Sequence, residues 1–264
     1  MQLLIARTLG EHHGNTSVTP LPGLTGQSLE IQSAQGKLVA RPAPQRPIPF
    51  VNRQREFRIL RKLHRGGLVP APLAGDQQGI ILPWQEGEVL TPDEFTRRMP
   101  EVITLLRQLH QQPLTGYRLR MLPLLWQYWQ ICRQRNLAWL RALQRLSRLA
   151  EPRPLRLAPL HMDVHAGNIV SAKGELHLID WEYAADGDVA LELAAVCAVD
   201  PQQQQQWLIG YAQATQLPLW QLARQAAYWQ PWLRLLMASW YQLRAEQSGE
   251  KTLLTLAQQS WKQI

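Results

Sequence analysis

The sequence predicts an α+β fold in two lobes, a small β-rich N-terminal lobe and a larger, mostly helical C-terminal lobe. Three observations carry this reading. Short strand-like runs joined by turns occupy residues 29–41, and helical spacing of apolar residues prevails beyond residue 87. A hairpin-like segment interrupts the helical half and carries Asp163, Asn168 and Asp180 close to its ends. Strands grouped early and helices grouped late give segregated layers rather than an alternating β/α sheet.

The elements follow in order. Residues 1–10 are briefly apolar but lack a basic leader and a long apolar stretch, so no secretory signal is expected. Residues 22–28 are turn-rich and include Gly23, Gly26 and Ser28. They run into two strands, 29–31 and 38–41, joined by a turn at 35–37. A glycine loop at the mouth of two strands can lay backbone N–H groups over phosphates; its plainer reading is a simple turn. Four prolines between 41 and 49 exclude a regular helix there. Residues 52–64 place Phe57, Leu60 and Leu63 at helical spacing, with Glu56 on the same helix, where the plain role of a glutamate is an exposed charge. Residues 79–87 read as a buried strand ending in a Pro- and Gly-marked connector. That connector divides an N-terminal lobe, 1–83, from a C-terminal lobe, 84–264. Beyond it, 101–111 is helical through Val102, Leu105, Leu106 and Leu109, and 122–149 reads as two helices. Pro152, Pro154 and Pro159 mark an extended lead-in to the Asp163 segment. Residues 189–199 and 202–214 read as helices, and 219–247 as helical pieces broken at Pro231.

Composition narrows the class. The 264 residues are 45% hydrophobic and 18% charged, which predicts a packed core and excludes global disorder. Cys132 and Cys197 form no Cys-x-x-Cys pair and read as buried or free thiols in a reducing compartment. The longest apolar run, 190–199, is interrupted by Glu192, so no membrane span and a cytoplasmic location are expected. The eleven tryptophans read mainly as core and helix-packing residues. Net charge is +8, unevenly spread: residues 118–156 hold nine arginines and one acid, residues 163–192 seven acids and one lysine. Solvated helix faces explain the arginines, and a polyanion-binding surface remains the alternative. A small-molecule partner is expected at the acidic stretch, with no nucleic acid.

The acidic stretch carries the chemistry. Residues 169–170 and 175–179 form two short strands, the second alternating polar and apolar, with 171–174 as a glycine-containing loop of hairpin length. A hairpin folds its ends together and so brings Asn168 near Asp180. A phosphate donor carries several negative charges and its site needs a divalent cation; hard cations prefer oxygen ligands, which Asn168 and Asp180 supply. Asp163 is left free to accept a proton from an attacking hydroxyl.

The pattern His161-x-Asp163-x-x-x-x-Asn168, followed by Ile179-Asp180-Trp181-Glu182, resembles the catalytic core of the aminoglycoside/choline phosphotransferase family, which has a protein-kinase-like fold. The resemblance implies ATP and Mg²⁺ as cofactors. It implies Asp163 as the group that orients and deprotonates the acceptor hydroxyl, Asn168 and Asp180 as metal ligands, and His161 as a packed member of the loop. It places His165 near the nucleotide or phosphate, Leu82 and Trp84 in the hinge that meets adenine, and Gly23, Gly26 and Ser28 in the phosphate-covering loop. Such folds usually set a lysine on the third strand, paired with a helix glutamate. Here Arg41 occupies that position, with Glu56 as its expected partner. Glu192 stands where relatives often carry aspartate.

The stretches 151–168 and 178–195 are similar to the bacterial branch of that family that phosphorylates thiamine. The resemblance therefore implies a cationic alcohol as acceptor, thiamine first, with choline, ethanolamine, an aminoglycoside or a sugar as alternatives. Carboxylates and aromatic rings suit a flat cation, and Trp181, Glu182, Tyr183, Asp186 and Asp188 are the candidates to meet it. Asp188 has a plainer role as the cap of a helix beginning at 189. A catalytically inert kinase-like binding protein is a further alternative; retention of Asp163, Asn168 and Asp180 together argues against it. Oligomeric state stays open.

Overall fold

The computed structural model describes residues 1–10, 16–21, 28–34 and 36–264. Its N-terminal part is an antiparallel sheet of five strands in the order β1-β2-β3-β5-β4. These are β1 (Ser17–Pro20), β2 (Leu29–Ser33), β3 (Gly36–Pro42), β4 (Ala74–Gly75) and β5 (Gly79–Pro83). Side chains alternate across a pleated strand, so the register decides which residues share a face. Ala40 lies opposite both Leu29 and Ile81, and Leu38 opposite Ile31. These residues form one apolar face, and a helix at the chain start, α1 (Gln2–Leu9), covers it with Leu4, Ile5 and Leu9. The apolar run at 1–10 is thus a helix. Fully burying each such aliphatic side chain contributes about 1.5–3 kcal/mol. The opposite face carries Val39 opposite Leu82 and Arg41 opposite Ile80. Against it packs α2 (Arg53–Leu63), whose Ile59, Leu60 and Leu63 join Ile80 in the main core. Asn52 caps α2 by accepting the Arg55 N–H at 2.8 Å.

The connector after β5 runs to β6 (Glu88–Val89), which pairs with the Asn168 hairpin. Gly87 has φ +124, and a methyl there would meet the Ser171 carbonyl, so only glycine lets the connector approach that strand so closely. Helices then dominate: α3 (Pro92–Arg97), α4 (Met99–His110), α5 (Met121–Ile131), α6 (Leu137–Leu149), α7 (Val189–Val199), α8 (Gln204–Thr215), α9 (Leu219–Ser248) and α10 (Lys251–Trp261). α6 buries Trp139, Leu143 and Leu146 and turns Arg141, Arg145 and Arg148 to solvent. Both cysteines are buried, and burial pushes each thiol up to about 12. No helix among the described residues is long and apolar enough to cross a membrane.

Two small sheets position the acidic stretch. The hairpin is β8 (Ile169–Ala172) and β9 (Glu175–Leu178), with Ile169 opposite Leu178. Its first strand runs two residues further than the sequence indicates, leaving a two-residue turn, and its second ends one residue earlier. Lys173 and Gly174 both have positive φ, as the twist of a tight hairpin demands. The lead-in segment ends in β7 (Leu157–Leu160), which pairs antiparallel with β10 (Ala185–Asp188).

One expectation is corrected. Residues 219–248 form a single helix of 30 residues that runs through Pro231. A proline forgoes one helix hydrogen bond and crowds the preceding turn, at about 3 kcal/mol. Here the flanking turns bury Trp229, Trp232, Leu233 and Leu235, and that packing holds the helix across the defect. Pro231 itself is exposed. Pro231→Ala should therefore stabilise the fold by about 1–3 kcal/mol, read as a higher urea midpoint at unchanged slope.

Candidate active site

The loop after β7 carries His161, Met162 and Asp163. His161 is fully buried, and its Nε2 lies 2.8 Å from the Ile179 carbonyl. Its Nδ1 accepts the Asp163 N–H at 3.3 Å, so Nε2 holds the proton that Ile179 receives. The ring stands edge-on to Trp181 at 4.6 Å. His161 thus joins the loop to the segment after β9. Beneath the loop lies Glu192 of α7, fully buried, whose Oε1 accepts the N–H groups of His161 at 2.8 Å and Met162 at 2.6 Å. Met162 has φ +67, a left-handed conformation that these two bonds stabilise.

Asp163 faces outward from this support and is about 38% exposed. Its Oδ2 accepts the Asn168 Nδ2–H at 2.9 Å, and the same amide also donates to the Asp163 carbonyl at 2.9 Å. That orientation leaves the Asn168 oxygen as an acceptor. The Asp163 Oδ1 lies 3.7 Å from His165 Nε2, close enough for charge pairing but beyond a hydrogen bond. The other His165 nitrogen accepts the Gly167 N–H at 3.0 Å and caps the short 3₁₀ turn Ala166–Asn168. Burial would raise the Asp163 carboxyl, but His165, His161 and Asn168 together hold it below its ordinary value. Asp163 in turn raises His165 against burial.

Asp180 follows β9 with φ +64. The Ile179 N–H donates to the Asn168 carbonyl at 3.0 Å, so the hairpin sets Asn168 beside the Asp180 segment. Asp180 Oδ1 lies 2.5 Å from Arg41 Nη2. Arg41 is 4% exposed; its Nη1 donates to Glu56 Oε1 at 2.9 Å and its Nη2 to Glu182 Oε2 at 2.8 Å. Arg53 completes the knot, with Nη1 donating to Glu56 Oε2 at 2.7 Å and to Glu182 Oε2 at 3.0 Å. Burial alone would lower the Arg41 pKa, but Glu56, Asp180 and Glu182 outweigh it and drive it up. Burial raises Glu182, against the pull of Arg41. Arg41 Nε is buried with no hydrogen-bond partner among the described residues. An orphaned donor on a buried cation beside a candidate metal ligand is suited to a phosphate oxygen.

Asp163, His165, Asn168, Asp180, Arg41, Glu56 and Glu182 therefore form one connected site. Leu82 lies on the same sheet face as Arg41, and Trp84 continues from β5, its N–H on the Lys37 carbonyl at 3.1 Å. Ser28 immediately precedes β2 and its carbonyl accepts the Leu21 N–H at 2.8 Å; Gly23 and Gly26 lie outside the described residues. Three acceptor candidates turn inward. Trp181 is buried, its indole N–H on the Leu178 carbonyl. Asp186 is buried and accepts from Thr115 and from the Gly116 N–H. Asp188 caps α7 and also accepts from Leu155, Gln225 and Trp229. With their oxygens so engaged, both aspartates hold structure together instead of facing an acceptor. Tyr183 differs: its hydroxyl accepts the Trp240 indole N–H at 2.8 Å, and Trp240 stands edge-on to Tyr241 at 5.2 Å. Burial raises both phenols, and the negative charge of Glu182 adds to it at Tyr183, that of Asp163 at Tyr241. Sequence reasoning missed Trp240, Tyr241 and Arg53. Only Arg53 left a trace, three residues before Glu56 on one helix face.

No group of three or more His, Cys, Asp or Glu side chains among the described residues is arranged to hold a metal. Asn168 and Asp180 still fit a cation such as Mg²⁺, which takes one or two protein oxygens and fills its remaining positions with phosphate and water.

Comparison with known proteins agrees with this geometry. A family model described as "Phosphotransferase enzyme family" matches residues 17–236. The chain is 40% identical over 263 residues to a thiamine kinase of Escherichia coli O157:H7, covering 99% of this chain and 94% of that one. It superposes on a crystal structure of LicA in complex with AMP with a TM-score of 0.80 at 18% identity, covering 99% and 95% of the two chains. For the choline kinase LicA from Streptococcus pneumoniae the TM-score is 0.75 at 19% identity, with 94% of each chain covered. The shared architecture is that of the protein-kinase-like phosphotransferases.

The Asp163–His165 pair gives stability a defined pH window. The lowered Asp163 pKa contributes above the unfolded carboxylate value, about 4, and is lost as pH falls. The raised His165 pKa contributes fully below about 6.5 and is lost as pH rises through the folded value. The melting-temperature difference between wild type and His165→Asn should be largest near pH 6 and shrink toward zero by pH 9, measured by scanning calorimetry.

Proposed function

We propose that this chain, which belongs to the phosphotransferase enzyme family, transfers the γ-phosphoryl group of ATP to the hydroxyethyl arm of thiamine, giving thiamine monophosphate and ADP. The chemistry rests on one observation: a partly exposed carboxylate, Asp163, is held through Oδ2 by Asn168 with Oδ1 outside any hydrogen bond, on a loop that His161 ties to the Ile179 carbonyl next to Asp180. The 40% identity to a thiamine kinase over 99% of the chain supports thiamine as acceptor.

Residues 1–83 form the nucleotide lobe and residues 84–264 the catalytic and acceptor lobe. Leu82 and Trp84 meet the adenine, and Arg41 offers its free Nε to a phosphate oxygen. Asn168 and Asp180 hold Mg²⁺, which when bound offsets phosphate charge. Asp163 Oδ1 receives the acceptor hydroxyl proton as the alcohol oxygen attacks phosphorus in line and the bond to the β-phosphate oxygen breaks. His165 beside it favours the ionised form of Asp163. Tyr183, Trp240 and Tyr241 face the thiazolium cation, which aromatic faces attract. Because such transfer depends on positioning and charge stabilisation, the support beneath Asp163 matters as much as its basicity.

An ATP turnover assay across thiamine, choline, ethanolamine and aminoglycosides, with product mass as readout, should give thiamine monophosphate as the dominant product; preference for another acceptor overturns the assignment. Asp163→Ala should lower kcat by about 10²–10⁴-fold with ADP affinity retained in calorimetry. Asp180→Ala should lose turnover together with the metal dependence of nucleotide binding.

A further inference from the structure

The sheet face that carries Arg41 is not uniformly covered. Packing of α2 buries its Arg41–Ile80 end, while Val39, Leu82 and Glu30 remain half-buried and Lys37 is exposed. Register places Leu82, Val39, Glu30 and Thr19 in one row across β5, β3, β2 and β1. Gln32 and Lys37 face each other in the next row, two residues along. Glu30 is thus an acid on the surface assigned to the nucleotide, where its charge alone opposes the phosphates. Its Oε1 is occupied: Gln32 Nε2 donates to it at 2.7 Å, and Lys37 Nζ lies 3.5 Å away. Lys37 is itself held 5.5 Å above the Trp84 ring. Gln32 and Lys37 keep the Glu30 carboxyl below its ordinary value, so it is ionised and can only accept. Its Oε2 has no partner among the described residues.

Neighbouring strands lie about 4.8 Å apart, so β2 stands about 10 Å from β5. A purine that meets Leu82 and Trp84 by its edge and lies under Val39 carries its sugar at about that separation. From there the phosphates reach back to Arg41, two residues along β3 from Val39. A ribose presents two neighbouring hydroxyls, both able to donate, and an ionised carboxylate oxygen is the acceptor that suits them. We propose that Glu30 selects the sugar of the nucleotide: its Oε2 accepts from the ribose 2′- and 3′-hydroxyls, while Gln32 and Lys37 hold the carboxylate in place through Oε1. Lys37 also offsets the charge of Glu30 against that of the phosphates. This rests on the reading of residues 1–83 as the nucleotide lobe and adds to it a preference for ribonucleotides.

Calorimetric titration of the full-length protein with magnesium and either ADP or 2′,3′-dideoxy-ADP, no acceptor present, tests it. Wild type should bind ADP about tenfold more tightly than the dideoxy analogue. In Glu30→Ala the two affinities should agree to within about twofold. A merely disturbed β2 would weaken both nucleotides alike and leave their ratio unchanged, so the ratio separates a sugar contact from a structural role. Glu30→Gln keeps an acceptor and loses the charge, and its ratio should fall between, at about threefold. Equal affinities in wild type overturn the proposal, as does a wild-type ratio preserved in Glu30→Ala. Should Glu30→Ala fail to fold, an undiminished ratio in Glu30→Gln overturns it instead. A wild type that shows the ADP preference but leaves thiamine unphosphorylated would sink the proposed acceptor and keep the sugar contact; one that binds neither nucleotide sinks both.

Discussion

The structure depends on a buried knot of two arginines and two glutamates that neither half can satisfy alone. Arg41 comes from a strand, Arg53 and Glu56 from the helix packed against it, and Glu182 from the segment after the catalytic hairpin. Desolvating four charges costs several kcal/mol per ion, and only their mutual contacts offset it. Removing any one leaves the remaining buried charges unbalanced, a loss of about 3–5 kcal/mol. The knot therefore stabilises less than it specifies: the sheet can seat on the helical part in one way, the way that puts Asp180 against Arg41.

That seating also meets what a guanidinium, as opposed to an ammonium, requires at Arg41. One ammonium is satisfied by one glutamate; a guanidinium presents a fork of donors and needs more acceptors. Glu56 takes one branch and Glu182 the other, while Arg53 neutralises the extra glutamate. The arrangement engages four residues and leaves one donor over, the buried Arg41 Nε.

Much of this was legible in the chain, and the failures have physical causes. The β8–β9 hairpin showed because polar and apolar residues alternate after a glycine turn, and α7 because Asp188 caps an apolar run that starts one residue later. α1 did not show, because eight mostly apolar residues carry too little periodicity to separate helix from an apolar stretch. Pro231 read as a break because sequence reveals the lost hydrogen bond but not the tryptophans packed on either side. Asp186 and Asp188 looked available because acidity near a motif reads as solvent-facing; pairing of β10 with β7 buries that whole strand. The Arg41–Glu56 pair followed from resemblance, whereas His110 and Glu192 meet across 82 residues and leave no local signal.

The hairpin that joins Asn168 to Asp180 is also a ruler. Its register is set at the far end by two residues, Lys173 and Gly174, whose side of the molecule is open to solvent. Strand parity is two, so a slip of one residue turns every side chain to the opposite face. A single inserted residue at that exposed tip would rotate Asn168 away from the Asp180 segment as surely as replacing either one. Surface position, which usually signals freedom to vary in length, here marks a place where length itself is constrained.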